Sequence, residues 1–166
     1  TYSWSVTKNG NAFALPGGTS TTAAALTFTP TDNGTYVATV AITDDDSESV
    51  NVSTSDITIT NVAPGVTING APSTAINEGA TVSLTTSITD AGSDDTVSTY
   101  AWSVAKDGSA YTLPGGTTTN ASSFSFAPND NGTFIVSVVV TDDDGGETTQ
   151  TKTITVNNVN PTVTLA

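Results

Sequence analysis

The chain repeats itself, and this constrains its fold more than any other property. Residues 2–46 recur as residues 100–144, a shift of 98. Trp4 falls on Trp102, and Leu15-Pro16-Gly17-Gly18 falls on Leu113-Pro114-Gly115-Gly116. Asp32-Asn33-Gly34-Thr35-Tyr36 falls on Asp130-Asn131-Gly132-Thr133-Phe134. Farther along, Asn61-Val62-Ala63-Pro64 matches Asn158-Val159-Asn160-Pro161 at a shift of 97, so the two copies differ by one residue in between. An array of similar domains follows from a repeat of this length, and arrays serve length, spacing or adhesion more readily than chemistry.

The register of the repeat sets the expected domains. With Pro64 opening a unit, residues 64–160 make one complete copy of 97 residues. Residues 1–63 are then the C-terminal part of a preceding copy, and residues 161–166 the first strand of a following one. The expectation is a window of a longer polypeptide. The rival is a processed subunit whose missing strands come from a neighbour.

Almost every segment reads as strand. Residues 82–88 and 100–104 alternate apolar and polar side chains, and residues 134–140 form a more continuous apolar run. Thr and Val are abundant, and both favour pleated strands. No window carries a 3.6-residue period. Asn9-Gly10, Asp107-Gly108, Asn33-Gly34, Asn131-Gly132 and Gly145-Gly146 supply turn signals between the runs. Short strands and regular turns in a unit of this size predict an all-β fold, an antiparallel sandwich of about seven strands.

Trp4 and Trp102 sit where the core Trp of an immunoglobulin-like strand C would sit, and residues 32–36 have the Asp-x-Gly-x-Tyr spacing of the corner before strand F. Phe134 replaces the Tyr in the second copy. Asn77-Glu78-Gly79, Asp90 with Ser93-Asp94-Asp95, Tyr100-x-Trp102, Phe126-x-Pro128-x-Asp130-x-Gly132 and Val140-Thr141-Asp142-Asp143-Asp144-Gly145 follow in order. This order resembles the PKD-like and cadherin-like tandem repeats of large bacterial surface and secreted proteins, over essentially the whole chain. The Gly-Asp-Gly that often follows the Trp in PKD domains is replaced here by Ser103-Val104-Ala105. The resemblance implies an extracellular or cell-surface location and a bacterial source.

Composition narrows the chemistry. Sixteen acidic residues face three lysines, with no arginine or histidine, for a net charge of −13. Phosphate contacts need basic side chains, so nucleic acid is excluded as a partner, and anionic membranes are disfavoured. Without Cys there is no disulfide, and without Cys or His the common nucleophile–base pairs and zinc sites cannot be built. No run approaches the length of a membrane span. Carboxylates, amides and hydroxyls remain, which suit calcium.

Eleven of the sixteen acidic residues fall in three groups: Asp44, Asp45, Asp46 and Glu48; Asp90, Asp94 and Asp95; Asp142, Asp143, Asp144 and Glu147. Sandwich topology places the last two in the B–C and F–G loops, at one end of a domain. Crowded carboxylates repel unless a cation neutralises them. The expected calcium ligands between copies are Asp90, Asp94, Asp95, Asp142, Asp143 and Asp144, with Asn61 from the linker. Asp44, Asp45 and Asp46 would do the same with another copy, and Glu78 would serve the opposite end near Asn158 and Asn160. The alternative is a solvated acidic loop that binds nothing.

Three hypotheses of function follow. The first is a non-enzymatic structural segment of a long stalk, adhesin or fibre with calcium-stiffened junctions. Its partners would be neighbouring repeats of the same chain or identical chains in a fibre. The second is a carbohydrate-binding accessory module of a secreted hydrolase, for which Phe13 and Tyr111 are the only tempting surface rings. The third is an enzyme working through paired carboxylates, which is weakest because these carboxylates lie in loops at a domain junction. Leu-Pro-Gly-Gly reads as a turn in both copies, and Lys8 and Lys106 read as solvent-reaching side chains beside hairpin turns rather than as partners of an internal isopeptide. Asn33, Asn51, Asn120 and Asn131 head N-x-Ser/Thr sequons, and the Ser/Thr-rich loops could carry O-glycans.

Overall fold

A computed structural model describes residues 1–164 of the chain. It divides into two compact units: unit 1 is Thr1–Val62 with Gly92–Asp95, and unit 2 is Ala63–Ala91 with Thr96–Ala166. Every regular element among the described residues is a strand. Residues 161–164 form no strand, and the rest of the expected opening strand, 165 and 166, lies outside the described residues.

Unit 1 holds β1 (Tyr2–Lys8), β2 (Asn11–Phe13), β3 (Gly34–Thr43), β4 (Ser49–Ser53) and β5 (Ile57–Ile59), in one antiparallel sheet ordered β2-β1-β3-β4 with β5 also on β3. Asn9 (φ 52°) and Gly10 (φ 79°) close the two-residue hairpin between β1 and β2. Two successive positive φ angles define the type I′ turn that matches strand twist, which is why Asn-Gly stands there. Asp107 (φ 49°) and Gly108 (φ 83°) repeat it in unit 2.

Unit 2 holds β6 (Gly65–Asn69), β7 (Ile76–Asn77), β8 (Val82–Thr89), β9 (Val97–Lys106), β10 (Ser109–Ala110), β11 (Ser123–Phe126), β12 (Gly132–Asp142) and β13 (Glu147–Asn157). They form two sheets, β10-β9-β12-β13-β7 and β11-β8-β6. All pairings are antiparallel except the short β7, which runs parallel to β13. This is an immunoglobulin-like sandwich.

The core of unit 2 is built by alternation. Phe134, Val136, Val138 and Val140 of β12 are fully buried, while Ile135 between them is 41% exposed. The apolar run of β12 therefore buries one face only. Trp102 is 4% exposed and stacks on Phe124, with ring centroids 5.1 Å apart and planes at 10°. Its indole Nε1–H donates to the Ala121 carbonyl at 2.9 Å. A ring buried with its donor satisfied keeps its hydrophobic gain without a desolvation penalty.

The one-residue difference between the copies lies in the last strand. β13 pairs with β12 without interruption from Glu147 to Val156. In unit 1 the pairing Thr39↔Ser53 passes to Tyr36↔Ile57, so residues 54–56 oppose only residues 37 and 38. The Thr54 amide donates to the Ala38 carbonyl at 2.9 Å, and the Ala38 amide donates to Thr54 Oγ1 at 3.2 Å. The extra residue is thus a β-bulge that divides one strand into β4 and β5.

Candidate functional site

The corner before strand F is stitched the same way in both copies. In unit 1 the Asn9 amide donates to the Thr35 carbonyl at 2.8 Å, and the Thr35 amide donates to Asn9 Oδ1 at 2.9 Å. Asp107 and Thr133 repeat both bonds in unit 2, each at 2.9 Å. Lys8 then reaches across to the Asp32 carboxylate, and Lys106 to that of Asp130 at 2.5 Å. Both lysines had been expected to reach solvent; instead each is only 23% exposed and ion-paired across the corner. Gly34 (φ +136°) and Gly132 (φ +143°) leave space for these stems, since a Cβ would lie 2.9 Å from Lys8 Cε or 2.8 Å from Lys106 Cε. The Lys8 ammonium holds the Asp32 carboxyl below its usual range, and Lys106 does the same to Asp130.

The predicted hydroxyl tie is present: Tyr36 Oη–H donates to the Asp32 carbonyl at 2.8 Å. Burial raises the Tyr36 phenol above its ordinary value, so it stays a donor. Phe134 packs without a hydroxyl, as its identity requires.

The F–G loops turn their first carboxylate back on themselves. Asp142 lies at the inward end of the β12 row and is 2% exposed. Its Oδ1 accepts from the amides of Asp144 at 3.1 Å and Gly146 at 2.6 Å. Asp44 Oδ1 likewise accepts from Asp46 at 3.1 Å and Glu48 at 3.0 Å, but Asp44 is exposed. The Thr96 amide donates to Asp143 Oδ1 at 2.9 Å, and the Asp143 amide donates to the Thr96 carbonyl at 3.0 Å, so the B–C and F–G loops of unit 2 are joined. Asp90 Oδ1 accepts from the Ala91 amide at 2.8 Å, while its Oδ2 is buried with no hydrogen bond. A buried carboxylate oxygen without a donor carries a desolvation penalty, and a cation is one group that removes it.

Within unit 1, Asp95 and Asp32 each offer a carboxylate oxygen within 4.8 Å of the other. The Gly92 amide donates to Asp95 Oδ2 at 2.9 Å, and the Asp94 amide donates to the Thr31 carbonyl at 3.1 Å. Asp32, in the corner Asp32-Asn33 that sandwich topology turns toward these acidic loops, is not among the expected ligands. Asn61 is half-buried. Among the described residues, Asp44, Asp45, Asp46 and Glu48 do not bring three carboxylates within 4.8 Å of one another, nor do Asp142, Asp143 and Asp144. Neighbours in sequence within these two loops therefore do not by themselves make a three-carboxylate cluster. Glu78 accepts from the Val159 amide at 2.8 Å through Oε1, beside Asn158 and Asn160.

Neither ring singled out for sugar binding lies flat on the surface. Phe13 meets Tyr36 edge-on at 5.1 Å, and Tyr111 meets Phe134 at 5.2 Å, both packed against their cores.

A PKD-domain family model matches residues 65–156. The chain belongs to the PKD-domain family. Among solved structures it is similar to the PKD1 domain of Vibrio anguillarum Epp, at 25% identity over 60% of this chain and 100% of that one, with a TM-score of 0.42. Fibronectin(III)-like modules of Clostridium thermocellum CbhA are 19% identical over 93% of this chain and 77% of that one, with a TM-score of 0.45. The amphioxus IgVJ-C2 molecule is 17% identical over 93% and 88%, also at 0.45. No curated protein matches the chain by sequence. PKD domains are typically extracellular, non-catalytic structural or binding modules, and no helix among the described residues is long and apolar enough to cross a membrane.

Proposed function

We propose that this PKD chain is a structural segment of a long extracellular stalk, adhesin or fibre whose domain junctions are stiffened by calcium. The observation that carries the reading is the repeat: the same sandwich residues, corner and acidic F–G loop recur at a shift of 98. A spacer needs copies of one unit, whereas a catalyst needs one site.

Calcium is supported by the donor set. Only oxygen ligands are available, and the buried, unpaired Oδ2 of Asp90 is an atom a hard cation would satisfy. Asp90, Asp94, Asp95, Asp142, Asp143 and Asp144 with Asn61 are the proposed ligands, joined by Asp32. Asp44, Asp45 and Asp46 would act with a further copy, and Glu78 at the opposite end.

Titration calorimetry of the chain with calcium tests this, alongside sedimentation with insoluble polysaccharides. The proposal expects heat of calcium binding that Asp143→Asn with Asp95→Asn diminishes, and no polysaccharide retention. Retention on a polysaccharide without calcium binding would instead favour an accessory carbohydrate-binding module.

A further inference from the structure

The two copies differ at one rung of one sheet edge. In unit 2, β13 pairs with β12 over residues 147–156 on one side. On its other side only Val156 and Asn157 meet a strand, the short β7. Among the described residues no other strand lies there, so residues 147–155 form an open edge. The edge stays open although the unit's own β6 and β7 are in place. Asn157 turns its carbonyl to this side, where it accepts from the Glu78 amide at 3.0 Å. Backbone groups alternate along an antiparallel strand, so Thr149, Thr151, Thr153 and Thr155 turn theirs the same way.

An open edge is a template for another strand, and edges that stay single carry a charge or a bulge that obstructs pairing. β13 carries Lys152. Its register partner is the fully buried Val136, so Lys152 springs from the core-facing side of the sheet, yet it is exposed. Lys8 and Lys106 are ion-paired across their corners, whereas Lys152 forms no ion pair among the described residues. A strand laid along the edge would strip water from this ammonium, and desolvating an unpaired charge is costly.

Unit 1 has a different obstruction at the same rung. Val136 repeats Ala38 at the shift of 98, and Ala38 is the residue that Thr54 bonds in the bulge at residues 54–56. The bulge leaves β4 with 5 residues and β5 with 3, against 11 in β13. A bulge bends its strand and leaves a residue unpaired. The uninterrupted strand has the lysine, and the strand without the lysine is interrupted.

We propose that Lys152 is an edge guard, which keeps β13 from pairing with the β13 of a second copy of this chain. Symmetry fixes the occupant. A two-fold axis lays the edge antiparallel on itself. Centred on Thr151, the middle of residues 147–155, it matches Thr149 with Thr153. The same register sets Lys152 opposite Gln150 of the other copy, in diagonal contact with the other Lys152 on one face, about 7–8 Å away along the backbone. Like charges so placed oppose the pairing. The guard needs no calcium and is independent of the function proposed above.

Sedimentation velocity of the full chain tests it. Lys152→Thr extends the row of threonines and makes a chain of net charge −13 one charge more negative. General charge repulsion then favours the monomer. The proposal expects the reverse: self-association at least tenfold tighter than that of the unaltered chain, with amide exchange at Thr149, Thr151, Thr153 and Thr155 slowed at least tenfold. Lys152→Glu keeps a charge at the rung and should stay as monomeric as the unaltered chain. Three results each overturn the proposal: Lys152→Thr no more associated than the unaltered chain, Lys152→Glu associating as strongly as Lys152→Thr, or association that leaves those four amides unprotected.

Discussion

The ring of Tyr111 stands edge-on to that of Phe134, centroids 5.2 Å apart and planes at 79°. The first copy makes the same contact with the hydroxyl exchanged: Phe13 meets Tyr36 at 5.1 Å and 87°. Each pair thus keeps one phenol. Tyr36 donates to the Asp32 carbonyl at 2.8 Å, and Tyr111 to Asn129 Oδ1 at 2.9 Å. Loss of the corner tyrosine in the second copy is accompanied by a tether from the facing position.

Removing either hydroxyl should therefore cost one hydrogen bond and no packing. Tyr36→Phe and Tyr111→Phe are each expected to lose about 0.5–1.5 kcal/mol. The Tyr36 change should be the larger, because its partner carbonyl lies in a more buried setting than the exposed Tyr111–Asn129 bond. Urea denaturation of the two variants measures this.

The two tryptophans should differ in weight. Trp102 is 4% exposed against a stacked Phe124, and Trp102→Ala is expected to cost about 3–5 kcal/mol. Trp4 is only partly buried, with Leu26 where Phe124 would be, so Trp4→Ala should cost less. Amide exchange in β12 and β3 reports each unit separately.

The lysine clamps set a pH dependence. Ion pairing with Lys8 depresses the folded-state pKa of Asp32, and with Lys106 that of Asp130. A depressed carboxyl contributes its full stability above the unfolded value, about pH 4, and loses it as pH falls through the lower folded value. Stability from both clamps should be flat at neutral pH and decline below about pH 4. The Lys8–Asp32 pair, with both side chains 23% exposed, is worth about 0.2–1 kcal/mol at neutral pH. Lys8→Met should remove that contribution and flatten the acid limb in a melting-temperature series across pH.

Much of the fold was legible in the chain. Alternation placed Trp102 in the core, Asn-Gly and Asp-Gly marked the type I′ hairpins, and Asp-x-Gly-x-Tyr named the Tyr36 tie. The bulge at residues 54–56 was visible only as a change of shift from 98 to 97, because a bulge leaves no residue type of its own. The lysine clamps were misread since a Lys beside a turn carries no sign of its partner across the corner. The acidic groups were legible as composition but not as geometry. Asp142 spends one oxygen on its own loop amides, whereas Asp32, remote in sequence, comes beside Asp95.

Thermal unfolding of the whole chain in calcium and in chelator tests the central claim most directly. For sites with the roughly 0.1–1 mM affinity of extracellular modules, 10 mM calcium should add about 1.4–2.7 kcal/mol by mass action. That corresponds to a rise in melting temperature of at least about 4 °C for a unit of this size. Asp143→Asn with Asp95→Asn should shrink the rise. Equal melting temperatures with and without calcium, together with no heat of binding, would contradict the account and leave solvated acidic loops.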